Sequence, residues 1–216
     1  MRIKHVLLTI VLSALFLTAC GTPAQESNQK KDKPLIAVTI VPQESFLRAI
    51  AGDLVEILTI VPPGYSTETY EPSPQDVARL SEADLYFAIG VPVETGQMMS
   101  AAQGLERVDL HALVSKIYPD LTFEDHHRDP HIWLSPKRVM VMVEEMVEHL
   151  VRLDPSHEKT YRANGEAYLQ ELSLLDQELE ANLSSLENKT FMVYHPAFAY
   201  FADDYGLTMF ALEEHG

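Results

Sequence analysis

The chain is poor in cysteine, in positive charge and in long hydrophobic segments. Of its 216 residues only Cys20 is a cysteine, so a disulfide between two cysteines of this chain is excluded. Lys and Arg number 16 against 32 Asp and Glu, and the formal net charge is −16. Such an acidic surface is a poor partner for nucleic acid or anionic lipid. After Cys20, no apolar run reaches the roughly 20 residues that a transmembrane helix needs.

The N-terminus has the pattern of an export signal. Arg2 and Lys4 precede an apolar run over residues 6–18, and a small-residue cleavage site stands directly before Cys20. This arrangement resembles a bacterial lipobox, in which the cysteine receives the lipid anchor; a plain signal peptide with an incidental cysteine is the alternative. Removal of residues 1–19 takes away the charges of Arg2 and Lys4 and no acid, so the net charge of −16 becomes −18.

Beyond the signal, the pattern predicts a flexible tether and then an α/β fold. Residues 20–33 have almost no apolar content. A strand is predicted over 35–41, a helix over 42–52 and a strand over 55–61, and this β-α-β alternation favours a parallel sheet. The same reasoning predicts strands over 85–90, 107–110, 190–194 and 207–212, and helices over 75–83 and 136–153.

A long helix is predicted over residues 156–186, where Tyr and Leu recur at near-heptad steps. At 1.5 Å per residue it would span roughly 45 Å, which suggests a connection between two lobes. We expect an N-terminal α/β lobe over 34–153, a linking helix over 154–187 and the start of a second α/β lobe over 188–216. The second lobe has two strands and one helix, so we expect it to be truncated, with one face of its sheet left to water.

Two histidines stand in proline-bounded turns. His131 follows Pro130 and precedes the only tryptophan, Trp133, whereas His195 ends a predicted strand and precedes Pro196. Either histidine alone is compatible with a helix cap or a packed core residue. Together, on segments that the strand order can bring close, they predict a site for one transition-metal ion.

Two polar loops could add ligands to this site. Glu68 lies in a long loop that follows the second strand, at the edge where open α/β sheets place ligands. His126 and His127 lie among acidic residues, in a loop that could scavenge metal or could simply be solvated.

The order of these motifs resembles a known family. The lipobox, the Pro-Pro-Gly loop with Tyr70-Glu71-Pro72, Asp129-Pro130-His131-Ile132-Trp133-Leu134 and Tyr194-His195-Pro196-Ala197-Phe198 are similar to the zinc and manganese solute-binding lipoproteins of ATP-binding-cassette importers. The resemblance implies two α/β lobes joined by one rigid helix, with the metal between them. It also implies that His131 and His195 are ligands.

The chain departs from that family at two ligand positions. Glu68 stands where the family usually has a histidine, and the family's late carboxylate ligand lies in a segment that we expect to be missing. Glu68 as a ligand would favour Mn²⁺ or Fe²⁺, whereas the pair His126 and His127 favours Zn²⁺. We therefore expect a receptor that delivers Zn²⁺ to a permease and its ATPase, with an Mn²⁺ or Fe²⁺ receptor as the alternative.

The expected location is extracytoplasmic, with Cys20 holding a monomer to the cell membrane, in the periplasm or on the outer face. A zinc-dependent hydrolase is a weaker alternative, because the chain lacks a His-Glu-x-x-His helix and an evident general base. A surface adhesin is another alternative, which no residue directly supports. We therefore expect no enzyme activity.

Overall fold

The computed structural model describes residues 33–123 and 126–213. Its larger sheet has four parallel strands in the order β2-β1-β3-β4. The strands are β1 (Leu35–Val38), β2 (Glu56–Thr59), β3 (Leu85–Ala88) and β4 (Arg107–Asp109). Every residue of β1 and β3 is buried, as expected for central strands that carry helices on both faces.

The helices that follow these strands cover the sheet. They are α1 (Val41–Ala51), α2 (Pro74–Ser81), α3 (Gln97–Ala101), α4 (Leu110–Val114) and α5 (Pro136–Leu153). The first strand ends at Val38, three residues before its predicted end, and the backbone N–H of Thr39 donates to the side chain of Gln43 at 3.0 Å instead of to a neighbouring strand. There the Thr39 hydroxyl lies 2.9 Å from the hydroxyl of Tyr86 and donates to Glu94.

The long helix α6 (Glu158–Ser184) has 27 residues and begins after a 3₁₀ turn at Pro155–His157. It packs along α5 and α1. Gly165 permits the close contact with α5, because a Cβ atom there would lie 2.5 Å from Cγ2 of Val147. The apolar stripe is buried at Tyr161 but exposed at Leu175, so the first part of the helix belongs to the core of the larger sheet.

A second parallel sheet pairs β5 (Thr190–Val193) with β6 (Thr208–Ala211), and α7 (Ala199–Asp204) makes the crossover. Between this unit and the end of α6 lies a cavity of about 340 Å³ with mainly apolar walls. The opposite face of the sheet is exposed and carries Met192, Tyr194, Phe210 and Leu212.

The predicted fold class is confirmed: parallel sheets, helical crossovers and one long helix. The lobe boundaries at residues 153 and 188 remain a prediction. Among the described helices, none is both long and apolar enough to cross a bilayer. The predicted signal segment, Cys20 and the tether lie outside the described residues.

Candidate metal centre

His131 is held by the aspartate two residues before it. Oδ1 of Asp129 accepts from the backbone N–H of His131 at 2.8 Å and lies 2.7 Å from its Nδ1 atom. Both side chains are buried, His131 with 6% and Asp129 with 1% of its surface exposed. Because a carboxylate can only accept, Nδ1 carries the proton and Nε2 presents its lone pair. This is the arrangement in which carboxylates orient metal-binding histidines.

The turn that carries His131 is anchored to the carboxyl edge of the larger sheet. The Arg128 guanidinium donates to the carbonyl of Gly90, two residues after the end of β3, and also to the carbonyl of Asp129 at 3.2 Å. The backbone N–H of Asp129 donates to Leu121 at 2.9 Å. The site therefore lies at the edge where parallel sheets place their ligands.

His195 follows β5 and is more open, with 40% of its side chain exposed. Its Nδ1 atom lies 3.2 Å from Oε2 of Glu213. The backbone N–H of Glu213 donates to the carbonyl of Tyr194 at 3.0 Å, which holds this glutamate beside the histidine. In both histidines a carboxylate therefore lies against Nδ1, which leaves Nε2 as the nitrogen that can bind a metal ion.

The Nε2 atoms of the two histidines face each other. Nε2 of His131 lies 3.1 Å from Nε2 of His195, and the ring planes are inclined by 83°. Two imidazoles whose Nδ1 atoms are both protonated point lone pairs at each other here, which is repulsive unless a cation or a proton lies between them. Zn–N bonds of about 2.0–2.1 Å at a tetrahedral angle place two nitrogens about 3.3–3.4 Å apart. The spacing thus suits one small transition-metal ion.

Aromatic rings wall the buried side of this pair. The ring centre of Trp133 lies 5.1 Å from that of His131, and the ring centre of Phe123 lies 6.4 Å from it. Such apolar walls limit water access and strengthen the interaction of the histidines with a cation.

The other predicted ligands do not join the pair. Glu68 is exposed in its loop, where its backbone N–H donates to Ser66 at 3.2 Å. His126 and His127 are exposed in a tight loop, and His126 has a φ of 67°. Over residues 33–123 and 126–213, no three His, Cys, Asp or Glu side chains form a group that could hold a metal ion.

Asp129 and Glu213 were not predicted to act at the site. The signal for Asp129 was present, since an acid two residues before a proline-bounded histidine can fold back onto the ring. Glu94 was missed as well. Burial raises the pKa of Glu94, although it accepts backbone bonds at 2.8 Å from both Ile89 and Gly90. Gly90 is also the residue whose carbonyl accepts from Arg128.

Parallel α/β sheets, a long helix and a histidine pair at the sheet edge define the metal-receptor class of solute-binding proteins. Residues 36–215 match the family model ZnuA, described as zinc-uptake complex component A periplasmic. The chain belongs to this family.

Relatives and solved structures agree with this assignment. A protein named putative metal-binding protein from Chlamydia trachomatis is 33% identical over 92% of this chain and 72% of its own length. The manganese ABC transporter substrate-binding lipoprotein PsaA of Streptococcus anginosus is 30% identical over 93% and 68%. A crystal structure of a ZnuA deletion mutant with zinc bound superimposes with a TM-score of 0.77 at 38% identity, covering 86% of this chain and 72% of that one.

Proposed function

We propose that this protein is an extracytoplasmic receptor that captures Zn²⁺ and delivers it to an ATP-binding-cassette importer. The observation that carries the proposal is the pair of Nε2 atoms 3.1 Å apart, each on a ring whose Nδ1 faces a carboxylate. Family membership supports the transport role. His131 and His195 are the proposed ligands, and Glu68 is a proposed third ligand that would have to reach the pair by movement of its loop.

The test is zinc titration of the full chain against a chelator of known affinity. Structural zinc sites supply about 10–16 kcal/mol through four ligands, so one imidazole accounts for roughly 3 kcal/mol. His131→Ala and His195→Ala should each weaken binding by about 100-fold. His157→Ala is the matched control, because His157 also has a carboxylate at Nδ1, that of Asp154 at 2.6 Å, but lies at the start of α6. Wild-type affinity in both site variants would place the metal elsewhere.

Zinc is proposed over manganese because nitrogen ligands bind first-row metals in the Irving–Williams order. A manganese receptor is the second candidate, favoured by the name of the relative PsaA and by Glu68. Elemental analysis after exposure to equal concentrations of both metals separates them. Manganese in excess over zinc would indicate a harder site that includes Glu68.

Delivery requires that the receptor stay at the membrane beside its permease and ATPase. We propose attachment through lipid on Cys20, with a monomer as the working form; the naming of PsaA as a lipoprotein supports this. The Cys20→Ala variant should leave the membrane fraction, since acyl chains contribute about 0.8 kcal/mol per buried CH₂. Continued membrane attachment would indicate another anchor.

We propose a binding role without catalysis, as expected for a family of substrate-binding receptors. The two histidines are each oriented by a carboxylate, an arrangement that suits metal ligation. A hydrolase screen with peptide, ester and phosphate substrates tests this point. Zinc-dependent turnover that His131→Ala abolishes would overturn it.

A further inference from the structure

A buried arginine ties the second sheet unit to the first. Arg138 lies in the first turn of α5, and only 2% of its surface is exposed. Its Nη1 atom donates to Asp204 at 2.7 Å and to Ser135 at 3.3 Å. The guanidinium carbon lies 4.4 Å from the ring centre of Tyr200 and 5.3 Å from that of Tyr118. The charge is thus paired and covered by aromatic faces, so this contact fixes the end of α7 to the start of α5.

The same short helix reaches the backbone of the metal-site turn. Tyr200 is the second residue of α7 and is fully buried. Its hydroxyl donates to the backbone carbonyl of Asp129 at 2.8 Å and accepts from the N–H of Leu121 at 3.2 Å. Because Asp129 also orients His131 through Nδ1, the position of α7 is coupled to the position of one ligand.

The other ligand is coupled to α7 along the chain. The helix begins at Ala199, four residues after His195. The segment between them is short and constrained, since Pro196 is buried and the N–H of Ala197 donates to the His195 carbonyl at 2.8 Å. A shift of α7 therefore moves His195 relative to the turn that carries His131.

We infer that Arg138, Asp204 and Tyr200 are positioning residues that hold the two histidine Nε2 atoms at metal-binding distance across the two sheet units. The inference rests on the proposed function. According to this inference, the distance between the two ligands depends on contacts made by residues that do not themselves touch the metal. Residues that orient metal ligands through hydrogen bonds contribute about 10–100-fold to metal affinity. We expect Tyr200→Phe, which removes only the hydroxyl, to weaken zinc binding by about tenfold.

Tyr161→Phe is the matched control. Tyr161 is as deeply buried as Tyr200, and its hydroxyl donates to the carboxylate of Asp154 at 2.9 Å, where Tyr200 donates to the backbone carbonyl of Asp129. It lies on α6, away from the histidine pair. The measurements on the full chain are zinc affinity by chelator competition, the visible spectrum of bound Co²⁺ and the midpoint of thermal unfolding.

Tyr200→Phe should lower zinc affinity and change the Co²⁺ spectrum, whereas Tyr161→Phe should leave both at the wild-type value despite a similar change in unfolding midpoint. A purely structural role predicts that both variants act alike. Wild-type affinity and spectrum in Tyr200→Phe, or equal losses of affinity in both variants, would overturn the inference.

The ion pair is tested by removing both charges together, because a single change leaves a buried charge unpaired. The double variant Arg138→Met, Asp204→Leu should fold and bind zinc at least about tenfold more weakly. Undiminished affinity in this folded variant would contradict a positioning role for the pair. If it fails to fold, Tyr200→Phe alone decides.

His131→Ala and His195→Ala separate the two levels of the proposal. If these variants lose zinc and Tyr200→Phe does not, only the positioning inference fails. If they bind zinc as the wild type does, the proposed site is wrong and the positioning inference fails with it.

Discussion

Replacement of Asp129 by asparagine removes one negative charge behind His131 and leaves its geometry in place. Oδ1 accepts both bonds from His131, at 2.8 and 2.7 Å, and an amide oxygen at this position can accept the same two bonds. Oδ2 is buried and has no hydrogen-bond partner in the described part of the chain. The new NH₂ group would occupy that position without an acceptor.

Two free energies change in Asp129→Asn. Loss of the charge makes Nε2 of His131 a weaker donor to the metal, and such changes cost about 10–100-fold in affinity, or about 1.4–2.7 kcal/mol. Because Oδ2 is already unpaired in the wild type, the unpaired NH₂ group adds little cost of its own. The free energy of unfolding should fall by about 1 kcal/mol in the metal-free and the metal-bound protein alike, because the two bonds that His131 donates lose their charged acceptor. The loss of stability should therefore be present without zinc, and the loss of affinity should add to it when zinc is bound.

The assay is chelator competition for zinc, with urea unfolding of the metal-free protein measured in parallel. Asp154→Asn is the control, because Asp154 likewise lies against Nδ1 of a histidine, His157, at 2.6 Å. We expect both variants to lose stability and only Asp129→Asn to lose zinc affinity. A stable, fully folded Asp129→Asn protein with wild-type affinity would refute the carboxylate's role in the site.

Two further changes test the packing and the electrostatics of the helices. Gly165→Ala should lower the free energy of unfolding by up to about 2 kcal/mol, because overpacking against Val147 costs about 1–3 kcal/mol and the better helix propensity of alanine offsets about 1 kcal/mol of it. Adding Val147→Ala should relieve the clash. A Gly165→Ala protein that is more stable than the wild type in denaturant would contradict the close contact. Burial raises the pKa of Asp154, but hydrogen bonds from Ser156, His157 and Tyr161 outweigh it and hold this pKa below its ordinary 3.8. The stabilisation by the Asp154 carboxylate is therefore complete above pH 3.8 and is lost as the pH falls through the lowered pKa. The free energy of unfolding of Asp154→Asn should be lower than that of the wild type by about 1.5 kcal/mol at neutral pH, and this difference should disappear in acid. A difference that is constant with pH would contradict the lowered pKa.

The strands were predictable because their burial leaves a simple signal. Residues 35–38 and 85–88 are apolar without alternation, as central parallel strands must be, and both lie within the predicted ranges. Their ends were less predictable. Thr39 continues the β-branched run, yet its hydroxyl bonds to Glu94, which is distant in sequence, and the strand stops.

The convergence of His131 and His195 joins two different sheets, because His195 follows β5 whereas His131 lies in a turn that Arg128 ties to Gly90, after β3. The order of strands within one sheet therefore does not account for it. The loop that carries Glu68 has no regular element to direct it, so the sequence did not predict where that carboxylate lies. Arg138 and Asp204 are 66 residues apart, and each reads alone as an exposed helix residue. Only the tertiary contact makes them a buried pair.

The apolar stripe on the long helix predicted which face of the helix packs against the core. It did not predict how far along the helix that face is covered by other residues. Tyr161 is buried against α5, whereas Leu175, with the same periodicity, is exposed. Periodicity reports which side of a helix is apolar, and the neighbours that cover it come from elsewhere in the chain.

The fluorescence of Trp133 can report directly on the metal site. It is the only tryptophan in the chain, and its ring lies 5.1 Å from that of His131. Its emission therefore samples one place in the molecule, beside a group whose charge state and metal occupancy can quench fluorescence. Zinc arrival and departure should be followed by stopped-flow emission without a dye or a label, so the rate at which this receptor releases its metal can be timed directly.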